Sequence, residues 1–450
     1  MSDSNASVTS GSTAVSYWTV VWQQLRRNRV SMVALRAVLG LFAVAVVAPL
    51  LAFNVPLLWV DGLPRFPVIE RLFDRSVFPS GVDVFFNLLM VVLPPMLLVL
   101  PATRPGGGAR VTWARVALAV WALVFALAVV HSRRSLWIAL AVALVVAGLR
   151  LASRRGRLPR TAARWGGFAA FVAGVVLLAG PAADRWPWTD WAAIARTDHV
   201  AAVFPPIPFH PDNIGSSGVL SDESIAREEH HWMGVDANQR DVLARLLFGS
   251  RISLTIGIVA VSINVLIGIL LGALAGYYGR KVDLIISRFI EVMICFPTFF
   301  LILTIIAVFD SRSIFLIMGA LGIVGWPGVA RLVRGEFIRQ RNLDYVTAAK
   351  ALGLRERRII FRHVLPNCLG PVLVSATFGV AGSILTESGI AFLGLGDVKA
   401  PSWGQMLSNG RASQEWHLIL APGFAIFFVV TVFNLLGEGL RDALDPKLRR

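Results

Sequence analysis

The sequence predicts an all-α polytopic membrane protein, and three observations carry that reading. Of 450 residues, 56% are hydrophobic and only 16% charged, with a mean hydropathy of +0.68; a soluble chain carries about a quarter charged residues. The apolar residues come in uninterrupted runs, and about 20 of them in a row carry a helix across the hydrocarbon core. Basic residues gather in the loops between those runs, where they orient spanning helices. The net charge of +16 therefore belongs to topology rather than to nucleic acid. No aromatic residues interleave with the loop arginines to build a base-stacking surface.

In chain order, residues 1–30 read as a polar, disordered cytoplasmic tail, and "MSDSNASVTSGSTAVSYW" lacks the basic start of a cleavable signal peptide. The first span, 31–53, follows the basic "LRRNR". Four more are predicted at 84–101, 112–131, 136–152 and 166–180, and a mixed-sign polar loop occupies 181–250. Five further spans are predicted at 252–277, 284–309, 314–332, 370–393 and 417–440, within a core that runs over 251–440. Residues 441–450 form a second tail.

Loop charge sets the orientation. "SRRGRLPRTAAR", residues 153–164, carries five arginines and no acid, and the loop at Gly279, Arg280 and Lys281 is short and basic. With ten spans and a cytoplasmic N-terminus, both loops and the C-terminal tail lie inside and residues 181–250 lie outside. Arg133 and Arg134 then fall outside, within snorkelling reach of the headgroups.

Inside the spans, Pro297 and Pro327 each remove a backbone hydrogen bond, which leaves either a static kink or a hinge. Gly268, Gly272 and Gly276 recur every four residues and line one helix face for close packing. Acids within spans are few. Among Glu291, Glu387 and Glu438, Glu387 is the best functional candidate, with a hydrogen bond to a neighbouring helix as the plain alternative.

One cytoplasmic insert stands out: "YVTAAKALGLRERRIIFRHVLPN", residues 345–367. Its first half favours helix. Gly353 suits a turn of positive φ after a helix. "RERRIIFRHVL" then resumes helix, with Ile360 and Val364 on one face, Arg358 and Arg362 on another, and Pro366 as its end. The expectation is a short helix-turn-helix on the membrane surface, apolar beneath and basic outward.

The spacing of Thr347, Ala348, Ala349, Gly353, Leu365 and Pro366 resembles the "EAA" coupling loop of bacterial ABC importer permeases, with Thr347 in place of the usual Glu. "HWMGVDANQRDV" matches the lead-in to a span in the oligopeptide/dipeptide/nickel permeases at Gly234, Asp236, Arg240, Asp241 and Val242, with Val235 and Gln239 replacing Thr and Gly. "ESGIAFLGLGDVKAPSWG", from Glu387, and the closing "GEGLRDALDPKLRR" are similar to the C-type subunit of that family. The resemblance covers the first span and residues 231–450.

It implies a type I ABC importer transmembrane domain; residues 84–180, which it does not explain, read as four extra spans whose Ala/Val/Leu-rich sequence places them peripheral to transport. It also implies a heterodimer with a second permease subunit, two cytoplasmic ATPase subunits docked on the coupling loop, and an external substrate-binding protein. The membrane would be the bacterial inner membrane, with both termini cytoplasmic. The chain has no Gly-x4-Gly-Lys-Ser/Thr loop for ATP, no nucleophile–base–acid set, and no cofactor or metal is expected. "EEHH" at 228–231 lacks a second ligand cluster. A gradient-driven secondary transporter and a membrane-anchored scaffold stand as alternatives, although inverted repeats and charged mid-span residues are not evident.

Overall fold

The computed structural model describes residues 17–102 save 62, 75 and 76, residues 200–212, residues 231–444 save 310, 398 and 399, and isolated positions between 103 and 199. The third to fifth expected spans and about half of the 181–250 loop lie outside the described residues. Among those described, five helices are long and apolar enough to cross a membrane, or six if one bent pair counts as a span. The helices are α1 (Tyr17–Arg27), α2 (Arg29–Leu51), α3 (Pro67–Arg71), α4 (Gly81–Ala102), α5 (Val242–Tyr278), α6 (Arg280–Cys295) and α7 (Thr298–Phe309). They continue with α8 (Ile314–Arg341), α9 (Asp344–Ala351), α10 (Glu356–Leu395), α11 (Trp403–Ser413) and α12 (Trp416–Leu444). Strands β1 (Leu58–Asp61), β2 (Leu63–Arg65) and β3 (Ala201–Val203) form an antiparallel sheet of order β2-β1-β3.

The chain divides into two compact units. The first comprises residues 1–40, 256–387 and 426–450. Its centre is the seam between α5 and α8. The glycine stripe of α5 lets α8 approach to backbone contact: a Cβ on Gly272 would stand 2.5 Å from the Ala330 carbonyl oxygen, and one on Gly276 2.5 Å from Phe337 Cβ. Pro327 lies inside α8, whereas Pro297 separates α6 from α7, which are bent by 84°. Pro297 has no N–H for Met293, and Phe296 before it takes extended φ and ψ of −83° and 128°.

Two expectations are corrected in this unit. The disordered tail gives way from Tyr17 onwards to α1, whose Val21 and Leu25 are buried against Ala443, Leu440 and Leu444 of α12. The helix over 356–364 is not closed by Pro366. Residues 359–364 widen into a π-helical turn, in which Leu365 N–H donates to Ile360 O five residues back, and the chain continues as α10 to Leu395. The wider turn accommodates the proline ring, so the helix passes through it.

The second unit comprises residues 41–255 and 388–425. Phe53, Phe78, His210 and Phe248 form its aromatic centre, with ring centroids 5.4–6.2 Å apart. Arg251 is fully buried beside them. Its guanidinium lies 3.2 Å from Asp83 Oδ1 and donates to the carbonyls of Ala45 (2.7 Å) and Val46 (3.2 Å), with Phe86 and Phe248 against its faces. The single positive charge is thus answered by one carboxylate and two carbonyls, which is what lets a cation sit here.

Candidate functional site

Two constructions draw the residues singled out in the sequence. The first is α9 with its following turn. The Ala-rich run of α9 forms a helix of eight residues, too short to hold itself in water, so its stability comes from the face it buries. Val346 and Ala349 point into a cluster with Ala273 and Tyr277 of α5, Val333 and Phe337 of α8, and Ile359, Ile360 and Val364 of α10. The apolar side of the insert therefore lies on the protein's own helices rather than on lipid, which corrects the membrane-surface expectation. Tyr345 Oη donates to Gln340 Oε1 at 2.8 Å, and Lys350 Nζ lies 5.3 Å above the Tyr277 ring.

Gly353 closes α9 with φ of +71°. Leu354 N–H donates to Ala349 O (3.2 Å) and Gly353 N–H to Lys350 O (2.9 Å). This 6→1 and 5→2 pair is the Schellman motif, which needs a left-handed residue at this position. Leu354 packs back onto the cluster. Opposite the buried face, Thr347, Ala348, Ala351, Leu352 and Gly353 are exposed, Leu352 at 80%. Arg355, Arg357, Arg358 and Arg362 are exposed beside them. Leu365 and Pro366 are half-buried in the helical run that follows. The result is a small-residue platform with one protruding leucine, a basic border and a rigid base.

The second construction is the lead-in to α5. Gly234 has φ of +76°, Val242 N–H donates to Gly234 O at 3.1 Å, and Val235 bridges to Asp241. Asp236 is the hub of this loop. Its Oδ1 accepts from the backbone N–H of Asn238 (2.9 Å) and Arg240 (3.0 Å), and its Oδ2 accepts from Arg240 Nε (2.8 Å). Burial alone would raise its pKa, but these hydrogen bonds and the charges of Arg240 and Arg245 hold it below the usual carboxylate value. Asp241 caps α5 by accepting from Ala244 N–H at 2.6 Å, and its other oxygen meets His231 Nδ1 at 2.9 Å.

Other stretches singled out in the sequence meet this loop. His417 Nε2 lies 3.3 Å from Val235 O, and Trp403 of "PSWG" donates from Nε1 to Leu246 O at 2.9 Å. Every polar atom so named is answered within the loop or its supports. The motif residues Gly234, Asp236, Arg240 and Asp241 thus build a structural lock ahead of α5. Glu387 is buried within α10 at 3% exposure. Sequence reasoning missed Asp83 and Arg251, and also the ion pair of Asp283 on α6 with Arg334 on α8, whose Oδ2 and Nη2 are 2.8 Å apart. Opposite charges at the edges of apolar runs were the available signal.

The family described as binding-protein-dependent transport system inner membrane component matches residues 268–450. The N-terminal transmembrane domain of oligopeptide transport permease C matches residues 16–58. The chain is 44% identical over 223 residues to the dipeptide transport system permease protein DppC of Alkalihalophilus pseudofirmus, covering 49% of this chain and 73% of that protein. Against the oligopeptide transport system permease protein OppC of Haemophilus influenzae it is 44% identical over 226 residues, covering 49% and 72%. The glutathione transport system permease protein GsiD of Pectobacterium atrosepticum is 41% identical over 222 residues, covering 49% and 73%. Neither family match reaches into residues 59–267.

Proposed function

The chain belongs to the binding-protein-dependent transport permeases, as a C-type subunit of the oligopeptide and dipeptide branch, and on that footing we propose that it forms half of the membrane path of an ATP-driven importer for short peptides. It is a multi-pass membrane protein of an inner-membrane transporter family, and in this reading its work is transport rather than catalysis. In this reading ATP is hydrolysed by two cytoplasmic partner subunits, a second permease completes the path, and an external binding protein delivers the solute. Both termini lie in the cytoplasm, and residues 84–180 are an addition to the core.

The observation that carries the reading is the platform of α9. Thr347, Ala348, Leu352 and Gly353 face outward on a helix whose other side is fixed to α5, α8 and α10. Small residues permit close approach of a partner, and Leu352 offers an apolar knob for a pocket. The rigid base transmits displacement of the platform to the helices beneath, because packed interiors shift as units rather than deform. Thr347 supplies a hydroxyl where relatives of this pattern place a carboxylate, so docking here leans on shape and on the basic border. The names of the relatives speak of dipeptides, oligopeptides and glutathione, and short peptides are the solute class in common.

The test is reconstitution of the chain with its partner permease, ATPases and binding protein in proteoliposomes. Peptide-loaded binding protein should stimulate ATP hydrolysis and drive peptide uptake. Uptake that follows an ion gradient without ATP would overturn the reading in favour of a secondary transporter.

A further inference from the structure

Helix α6 has two faces. Ile286, Ile290 and Met293 pack with Trp326 and Ala330 of α8, Phe289 stacks on Trp326 with ring centroids 5.4 Å apart, and Asp283 pairs with Arg334. These contacts fix the helix by one stripe. At 100° per residue, the stripe turned away from α8 begins with exposed Leu284 and continues, deeper along the helix, with the polar side chains of Arg288, Glu291 and Cys295. All three are exposed, and Arg288 Nη1 lies 2.7 Å from Glu291 Oε2.

Lipid is an unsuitable neighbour for that stripe. From the basic end at Arg280, Glu291 lies about 16 Å along the helix at 1.5 Å per residue, roughly half the hydrocarbon thickness. A charged pair facing hydrocarbon at that depth is costly. Arg288 cannot escape by snorkelling as it stands, because its guanidinium reaches towards Glu291, away from the basic end. A separate observation points the same way. The helix stops at Cys295, Phe296 is extended, and the 84° bend at Phe296–Pro297 leaves non-helical backbone with Cys295, Phe296, Pro297 and Thr298 all exposed. Irregular backbone at membrane depth persists only where protein buries it or water bathes it, and here this chain does not bury it.

We propose that the α6 stripe of Arg288, Glu291 and Cys295, with the break that follows, lines a water-filled solute path. The wall it offers is polar but neutral overall, because each charge is answered by the other. A solute with both an ammonium and a carboxylate, such as a short peptide, passes such a wall without being held by either end; a path has to bind weakly to conduct. Only the choice of solute rests on the importer reading; the wetness of the path rests on the helix.

Cys295 is a native reporter on the stripe, and Cys368, fully buried, is the internal control. Right-side-out and inverted membrane vesicles are treated with a membrane-impermeant cationic methanethiosulfonate. The thiolate displaces methanesulfinate and forms a mixed disulfide, a reaction that needs water to ionise the thiol. Mass mapping should find Cys295 modified in at least one vesicle orientation and Cys368 unmodified. Cys295 left untouched in both orientations, yet modified once the protein is denatured, would overturn the proposal. In the uptake assay, Glu291→Gln should lower transport of a lysine-rich tripeptide several-fold relative to an aspartate-rich one, and Arg288→Gln should do the reverse. Equal effects on both peptides would overturn the solute-facing role. Absence of ATP-driven uptake by the unaltered protein would instead count against the importer reading and leave the labelling result standing.

Discussion

The guanidinium of Arg251, fully buried at the head of α5, is held 3.2 Å from the carboxylate of Asp83 on α4. Asp83 sits one residue before the stretch expected to be an added, peripheral block. The boundary of that block is therefore not a clean seam, because the helix that opens it supplies the counter-charge for a core arginine.

Asp83→Ala should accordingly be far more damaging than a peripheral position warrants. It leaves an uncompensated charge in the interior, at a cost of about 3–5 kcal/mol. Replacing both partners by apolar residues, as in Asp83→Leu with Arg251→Met, should recover much of that loss. Thermal unfolding in detergent measures both. A deletion confined to residues 103–152, which removes two expected spans and so keeps the orientation of the rest, should leave the protein foldable with Asp83 retained, whereas one of residues 81–180 should not.

Gln239 stands at φ of +59° in the lead-in loop, where its N–H donates to Asp236 O. A left-handed conformation costs an L-residue about 1–2 kcal/mol, part of which glycine returns as unfolded-chain entropy. Gln239→Gly should therefore stabilise the loop by about 1 kcal/mol or less, read as a small rise in Tm. Gln239→Val, β-branched in the same conformation, should lower it.

His210 is buried among Phe53, Phe78 and Phe248, and its Nδ1 accepts from Asp212 N–H at 3.2 Å. Burial holds the imidazole neutral and pulls its pKa from 6.5 down to about 4, against the opposing charge of Asp212. Between those values the unfolded chain binds a proton that the folded chain refuses, so stability falls as pH drops from 6.5 towards 4. The loss is on the order of 3 kcal/mol. His210→Asn, which keeps an acceptor for Asp212 N–H, should flatten that part of the pH profile of thermal unfolding; an unchanged profile would mean that the loss comes from other groups.

Topology is open to direct reading. With the arginines of 153–164 inside, reporter fusions after Arg160, Gly218 and Pro446 should read cytoplasmic, external and cytoplasmic. A cytoplasmic reading at Gly218 would break the ten-span arrangement.

What the sequence made legible followed local rules. A helix-prone run ahead of Gly353 foretells a C-terminal turn, and the glycines at 268, 272 and 276 foretell a close helix neighbour, because both signals lie within a few residues. The end assigned at Pro366 failed for the same reason. The local rule stops helices at proline, while a π-helical turn that widens ahead of it leaves no mark in the apolar pattern. The α1 face was diluted by the polar residues around Val21 and Leu25. The Asp83–Arg251 pair joins positions 168 residues apart, and no periodicity reports such a distance. Arg251 lay at the edge of a run and so looked like one more loop charge.

In the proposed function α9 docks on an ATP-hydrolysing partner, and Gly353 sets the angle of the dock. A Cβ at Gly353 would meet no neighbouring atom within 4 Å, so the first effect of substitution is strain in its left-handed backbone, at φ of +71°. The most direct measurement is substrate-stimulated ATP hydrolysis by the assembled complex carrying Gly353→Asp, read beside the membrane level and permease pairing of the same variant. Near-normal insertion and pairing, weakened ATPase co-purification and loss of the stimulated hydrolysis are expected. Full stimulation and normal transport in the Gly353→Asp protein would contradict the proposed dock.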